Sequence, residues 1–204
     1  MPGRNIIKIF EPQSFYHIYN RGINKGEIFL ADVDYTHFEW LCERSLCPKP
    51  VKDKKGRDHA WLRSRVEVNA YCLMPNHFHL LCYQQTVDGI TLLMRSVCTA
   101  YTMYFNKKYK RRGPLFENCY RAVPILRDAQ LLHISRYIHL NHAQFRAWPH
   151  SSLEDYLSFS SRTWIAPGRI KELFDGKVDY KQFMLDYEQV QREAETLKRE
   201  LAHY

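Results

Sequence analysis

Residues 71–83 read YCLMPNHFHLLCY. Two apolar, aromatic runs meet at Pro75-Asn76, a turn signal flanked by strand formers. The segment predicts a β-hairpin, with strands over 65–72 and 77–84. Side chains in a strand alternate faces, so His77 and His79 point the same way and Phe78 points into the core. Their Cα atoms lie roughly 6.6 Å apart at about 3.3 Å rise per residue. Two imidazoles so spaced can converge on one metal ion. The same pattern also fits two surface histidines on an amphipathic strand, and His-x-His alone does not choose between them.

The hairpin belongs to a chain of 204 residues, the length of one ordinary domain with a small appendage. Hydrophobic residues make up 45%, enough for a real core. The formal net charge of +8 favours a polyanionic partner, nucleic acid first. Six cysteines include no Cys-x-x-Cys pair, which argues against a zinc ribbon. The start, MPGRNIIKIFEPQ, has no signal-peptide apolar region, and no apolar run approaches membrane-spanning length. The expectation is a cytoplasmic protein with reduced thiols and no membrane partner.

Along the chain, FYHIYN (15–20) reads as a first strand closed by Asn20-Arg21-Gly22. Residues 32–46 open on Asp32 and carry apolar residues at helical spacing. Residues 47–64 are polar, basic and proline-containing, a loop. After the hairpin, Asp88 starts a long helix to about Tyr109. Residues 115–125 suggest a fourth strand, and Asp128 starts a third helix through about His142. The order βαββαβ plus a helix predicts an α+β, ferredoxin-like (split βαβ, RRM-like) fold. Its antiparallel sheet would carry helices on one face. Beyond about residue 160 the character changes. Pro167 and Gly168 mark a linker and 179–202 reads as a charged amphipathic helix, which divides the chain into 1–160 and a C-terminal helical extension, 161–204. Phe183, Tyr187, Val190, Ala194, Leu197 and Leu201 form one seam of that helix. The seam suits either a second chain or the protein's own surface, so monomer and homodimer both stay open.

On the third helix Tyr137 and Asn141 are four apart and share a face, with His133 one turn before them. That spacing also fits a tyrosine at the core edge with a solvated hydroxyl. Lys107, Lys108, Lys110, Arg111 and Arg112 form the densest basic cluster, and Lys49, Lys52, Lys54, Lys55 and Arg57 a second. Either can track phosphates or be a solvated charge run.

Several segments together carry a resemblance: FYHIYNRG (15–22), AYCLMPNHFHLL (70–81), LLMRSVCTAYTMYFN (92–106), GPLFENCYRA (113–122), SRYIHLN (135–141) and WPHSSLEDY (148–156). In this order they resemble the REP-associated tyrosine transposases, of the single-tyrosine HUH transposase family, over roughly the first 160 residues. The resemblance implies that His77 and His79 are metal ligands, Tyr137 the nucleophile and Asn141 the third, polar ligand. It implies that Asn20, Arg21 and Gly22 read single-stranded bases beside a hairpin. Where relatives often have Asn-Pro-Val after the helix, this chain has Asn141-His142-Ala143.

The chemistry so implied is metal-dependent cleavage and transfer of single-stranded or hairpin DNA through a 5′-phosphotyrosine. A tyrosine hydroxyl ionises near pH 10 and is a poor nucleophile at neutral pH. A divalent ion held by two imidazoles and an amide oxygen offsets the charge developing on the phosphate, and mixed nitrogen and oxygen donors suit Mg²⁺ or Mn²⁺. Two other readings remain: a non-catalytic nucleic-acid-binding protein on the same fold, and a metal-dependent phosphoesterase that activates water.

Overall fold

The computed structural model describes residues 10–53, 55–158, 162–174 and 179–187. Four strands form one antiparallel sheet: β1 (Ser14–Arg21), β2 (Val66–Met74), β3 (His77–Gln84) and β4 (Arg121–Ile125), in the order β2-β3-β1-β4. This is the ferredoxin-like order that βαββαβ predicts. Pro75-Asn76 is the whole turn between β2 and β3.

Strand alternation sorts the side chains. Tyr16 and Ile18 of β1 and Phe78, Leu80 and Cys82 of β3 face one core cluster. Helices α1 (Asp32–Leu46) and α2 (Gly89–Lys108) close that cluster through Phe38, Leu41, Leu93, Val97 and Tyr101. In β2 the pairing shifts between Val68 and Ala70. The irregularity at Asn69 sets Val66, Val68, Tyr71 and Leu73 on the α1–α2 side and Ala70 and Cys72 on the other.

Helices on one face describes α1 and α2 only. Helix α3 (Asp128–His139) packs on the opposite face, over β2 and β3, with Leu131 and Ile138 against Ala70, Cys72 and Leu81. Its apolar stripe requires such a face, and the βαββαβ unit leaves one free. Short helices α4 (Leu153–Leu157) and α5 (Gly168–Lys171) complete this second cluster with buried Leu153, Tyr156 and Ile170. The segment around Pro167-Gly168 therefore packs rather than dangles: Ala166 N–H donates to Val68 O at 2.9 Å. Leu73 N–H donates to His150 O and Ser152 N–H to Tyr71 O, so the outer edge of β2 is covered.

The fourth strand is shorter than 115–125. Residues 115–117 run beside the end of β1, with Ile23 N–H donating to Leu115 O and Glu117 N–H to Arg21 O. The Asn20 amide, donating to Asn118 O, separates this stretch from β4. Helix α3 stops at His139, short of His142, and its last turn tightens as Asn141 N–H donates to Ile138 O. Among the described residues no helix is long and apolar enough to cross a membrane. Of the C-terminal helix, residues 180–187 are helical; Val190, Ala194, Leu197 and Leu201 lie outside the described residues.

Asp34 ties the α1–α2 layer together. Fully buried, it accepts hydrogen bonds from Leu30 N–H, Ala31 N–H, the Tyr104 and Tyr109 hydroxyls and Lys108 Nζ. Burial pushes its carboxyl up, but the bonds from Lys108, Tyr109 and Leu30 more than offset this and hold it below the ordinary value. Asp34→Ala leaves all these donors unpaired and is expected to cost about 3 kcal/mol, read as a lowered urea midpoint. A group with a depressed folded pKa stabilises above its unfolded pKa and less as pH falls. The gap between wild type and variant should therefore shrink below about pH 4.

Candidate active site

His77 opens β3 and His79 follows on the same face, with ring centroids 5.0 Å apart and nearly perpendicular. His77 donates Nδ1–H to Asn76 Oδ1 at 2.6 Å. That fixes the neutral ring with a lone pair on Nε2, which lies 3.1 Å from Asn141 Oδ1. Burial lowers the His77 pKa, the Asn141 contact opposes this and Arg21 adds to it, so the ring is neutral at pH 7. The Nε2 edge of His77 and the Asn141 amide thus meet across two elements distant in sequence. The pair fits a shared cation.

His79 is more deeply buried, and desolvation, then His17 and His77, push its pKa down to about 2. Its Nδ1 lies 2.8 Å from Nε2 of His17, and the two rings stack. Burial takes His17 down to about 4. With Nδ1 committed to His17, His79 keeps Nε2 for a ligand, the usual division of labour for a metal-bound imidazole. Among the described residues no three His, Cys, Asp or Glu side chains form a metal-holding group. The donor set available is thus His77 Nε2, His79 Nε2 and the Asn141 amide oxygen, with positions left for phosphate oxygens or water. Mixed nitrogen and oxygen donors fit Mg²⁺ or Mn²⁺.

Tyr137 stands over this pair from α3. Its ring is 5.6 Å from His79 and 6.1 Å from His17, edge-on to both. At 42% exposed, it is not a packed core tyrosine. The opposite side of α3 is clamped. His139 is buried, its Nδ1 hydrogen-bonded to the Tyr180 hydroxyl at 2.7 Å and its Nε2 to Ser152 Oγ at 2.8 Å. Tyr180 also donates to Ser135 Oγ. Arg136 lies over the rings of Phe183 and Tyr187 and donates to Phe183 O. Ser135, Arg136 and His139 thus bind helix 180–187 while Tyr137, between them, faces the histidines. His133 lies near Tyr187, off the site. After Asn141 the chain turns back at once, His142 stacking on Trp148 at 3.8 Å.

Asn20 and Arg21 end β1 beside this centre and Gly22 follows, Arg21 directly opposite His77. Asn20 is buried, its amide spent on Asn118 O and Arg21 N. Arg21 forms a two-pronged pair with Glu117, at 3.2 and 3.0 Å. Gly22 has a packing reason: a Cβ there would lie 2.0 Å from Gly26 O. A cleft of about 330 Å³, lined by Tyr19, Asn20, Arg21, His77, Glu117 and Arg121 among others, opens here. Of the basic cluster, Lys108 is bound to Asp34, and Arg111 to Asn106 and Pro114 O. Lys107, Lys110 and Arg112 are exposed. In the second cluster Arg57 pairs with Asp53, and Lys54 lies outside the described residues.

Sequence reasoning passed over His17, Asn76 and Tyr180. His17 and Tyr19 share a strand face, which alternation alone shows, but only the pairing of β1 with β3 brings His17 to His79. Asn76 reads from the sequence as a turn residue only.

Residues 57–141 match the sequence model of the family described as "Transposase IS200 like", a span holding His77, His79 and Tyr137 and ending on Asn141. A solved structure described as a REP-associated tyrosine transposase bound to a REP hairpin aligns with 87% of this chain and 96% of its own. Identity is 13% and the TM-score 0.53, so it shows the shared fold. A putative transposase from Deinococcus radiodurans R1 aligns with 70% of this chain and 98% of its own, at 17% identity and a TM-score of 0.40. Comparison with the curated proteins found no match. Residues 57–141 are thus similar to the IS200-like transposase family, and the fold is that of the REP-hairpin-bound structure.

Helix 180–187 buries Tyr180 and Met184 against the second core cluster and packs Phe183 on it. A chain ended at residue 174 should lose about 3–6 kcal/mol of stability, from the two buried side chains at about 1.5–3 kcal/mol each. Urea unfolding measures this, and an unchanged midpoint would show that the docked helix is no brace.

Proposed function

We propose that this protein is a DNA transposase-type enzyme that cuts and rejoins single-stranded or hairpin DNA through a covalent link to Tyr137. The observation that supports this most is the convergence of α3 and β3 at one place: the exposed Tyr137 ring lies edge-on to His79, and His77, two residues along the same strand face, meets the Asn141 amide at 3.1 Å. The family match over the same residues supports it independently. A non-catalytic binding module has no use for this combination.

His77, His79 and Asn141 would hold Mg²⁺ or Mn²⁺. Bound there, the ion supplies charge stabilisation to a phosphodiester oxygen. Asn76 and His17 orient the two imidazoles so that each offers Nε2. Tyr137 Oη attacks phosphorus in line, loses its proton to solvent and forms a P–O bond. The P–O bond to the 3′ carbon's oxygen breaks, and that oxygen leaves as a 3′-hydroxyl after taking up a proton. The 5′-phosphotyrosine conserves the bond energy, so another 3′-hydroxyl can displace Tyr137 in the reverse sense. Lys107, Lys110 and Arg112, free of internal partners among the described residues, are the phosphate-tracking cations.

Tyr137→Phe should fold normally and form no denaturant-stable protein–DNA band with Mg²⁺ and a labelled hairpin oligonucleotide. Peptide mapping of the wild-type adduct to Tyr101, Tyr104, Tyr109, Tyr120 or Tyr156 would overturn the assignment. Hydrolysis persisting in Tyr137→Phe would favour the water-using phosphoesterase.

His77→Ala and His79→Ala should each abolish cleavage while leaving most DNA affinity, because phosphate contacts lie elsewhere. Cleavage undiminished by EDTA would remove the metal from the scheme.

Replacing Lys107, Lys110 and Arg112 together by Ala should flatten the slope of log affinity against log salt by about 2. An unchanged slope would place the phosphates on another surface.

A further inference from the structure

Helix α3 packs on β2 and β3, and on the same sheet face the part of β4 opposite His17 and Tyr19 stays exposed. Val123 there is 39% exposed, and Arg121 is exposed. Tyr19 lies opposite His79 on β3 and opposite Arg121 on β4. Its ring is 5.7 Å from His79 and 5.1 Å from His17, tilted to both, and it is only partly buried. Arg121 holds its guanidinium 6.0 Å over the Tyr19 ring. The same two residues line the cleft that runs on to His77. An aromatic ring half open on a sheet face, next to the candidate metal ligands and roofed by an exposed cation, has the elements of a stacking site for a nucleobase. The spacing agrees. Bases stack about 3.4 Å from their neighbours, so a base entering between ring and guanidinium needs about 7 Å, a small outward swing of an exposed side chain. The cleft's lining is mostly polar, with Arg21 paired to Glu117 and Arg121 beside them, a net positive rim that suits a negatively charged strand.

We propose that Tyr19 is the stacking platform for one unpaired nucleotide adjoining the phosphate that Tyr137 attacks, with Arg121 closing on the other face of the base. This rests on the proposed cleavage at Tyr137. The platform takes any base by its π-face and requires that it be unpaired. It therefore selects single-stranded over duplex DNA at that position.

The test couples protein and DNA changes. The cut position of a hairpin oligonucleotide with single-stranded flanks is mapped with the wild-type protein. Abasic sites are then placed singly on either side of it. One abasic position should weaken wild-type binding about tenfold, within the range for a base stacked on an aromatic ring. Tyr19→Leu should lose about as much on intact DNA and nothing further on that abasic DNA. Tyr19→Phe should behave as wild type, and 2-aminopurine at that position should be quenched on binding by wild type and Tyr19→Phe only. Arg121→Ala, at an exposed residue whose removal leaves the fold intact, should give a smaller loss that also vanishes on abasic DNA. Additive losses for both variants, or no abasic-sensitive position, overturn the platform. If a covalent adduct forms and coupling is absent, the platform alone fails. If coupling is present and no adduct forms, the nuclease reading fails and the platform stands as a single-strand binding site.

Discussion

The pairing of β1 with β3 is the constraint on which the site depends. In this register Arg21 lies opposite His77 and Tyr19 opposite His79, while Tyr16 and Ile18 share the core face with Phe78 and Leu80. A slip of one residue would turn His17 and Tyr19 into the core and Ile18 out to α3. Hydrophobic burial on one face therefore fixes the polar arrangement on the other. The two-residue turn at Pro75-Asn76 locks the neighbouring register from the other side, and Asn76 then serves a second purpose by fixing the His77 tautomer.

Local periodicity made much of this visible in the sequence. Helix α1 runs from Asp32 to Leu46 as its apolar spacing indicates, and β3 starts at His77. The shared face of His77 and His79 needs only strand geometry, and the separation of Tyr137 and Asn141 only a helical turn. What stayed hidden needs contacts distant along the chain. His17 meets His79 across 62 residues, and Tyr180 meets His139 across 41. The placement of α3 on the sheet's second face is likewise tertiary. No local pattern says which face a stripe will choose.

Charge was the least legible property. Lys108 and Arg111 look like their neighbours in NKKYKRRG, yet one answers a buried carboxylate and the other holds a loop. Asp34 looks like an ordinary acid of a helix's first turn. It is instead the hub of a network that joins the backbone before α1 to Tyr104 and Lys108 of α2. Burial decides whether a charge organises the protein or faces a ligand, and burial is set by the whole fold.

The clamp behind α3 has a consequence for the order in which the molecule becomes whole. All the side chains that face the centre lie at or before Asn141, and those that grip α3 from behind, from Ser152 to Tyr187, come later. Synthesis runs from the amino end, so a growing polypeptide emerges from the ribosome carrying every proposed reactive group before it owns the parts that set their spacing. A nascent chain thus carries the groups of the proposed centre before the residues that hold α3 from behind, and the centre takes its final spacing only once Tyr187 has been added.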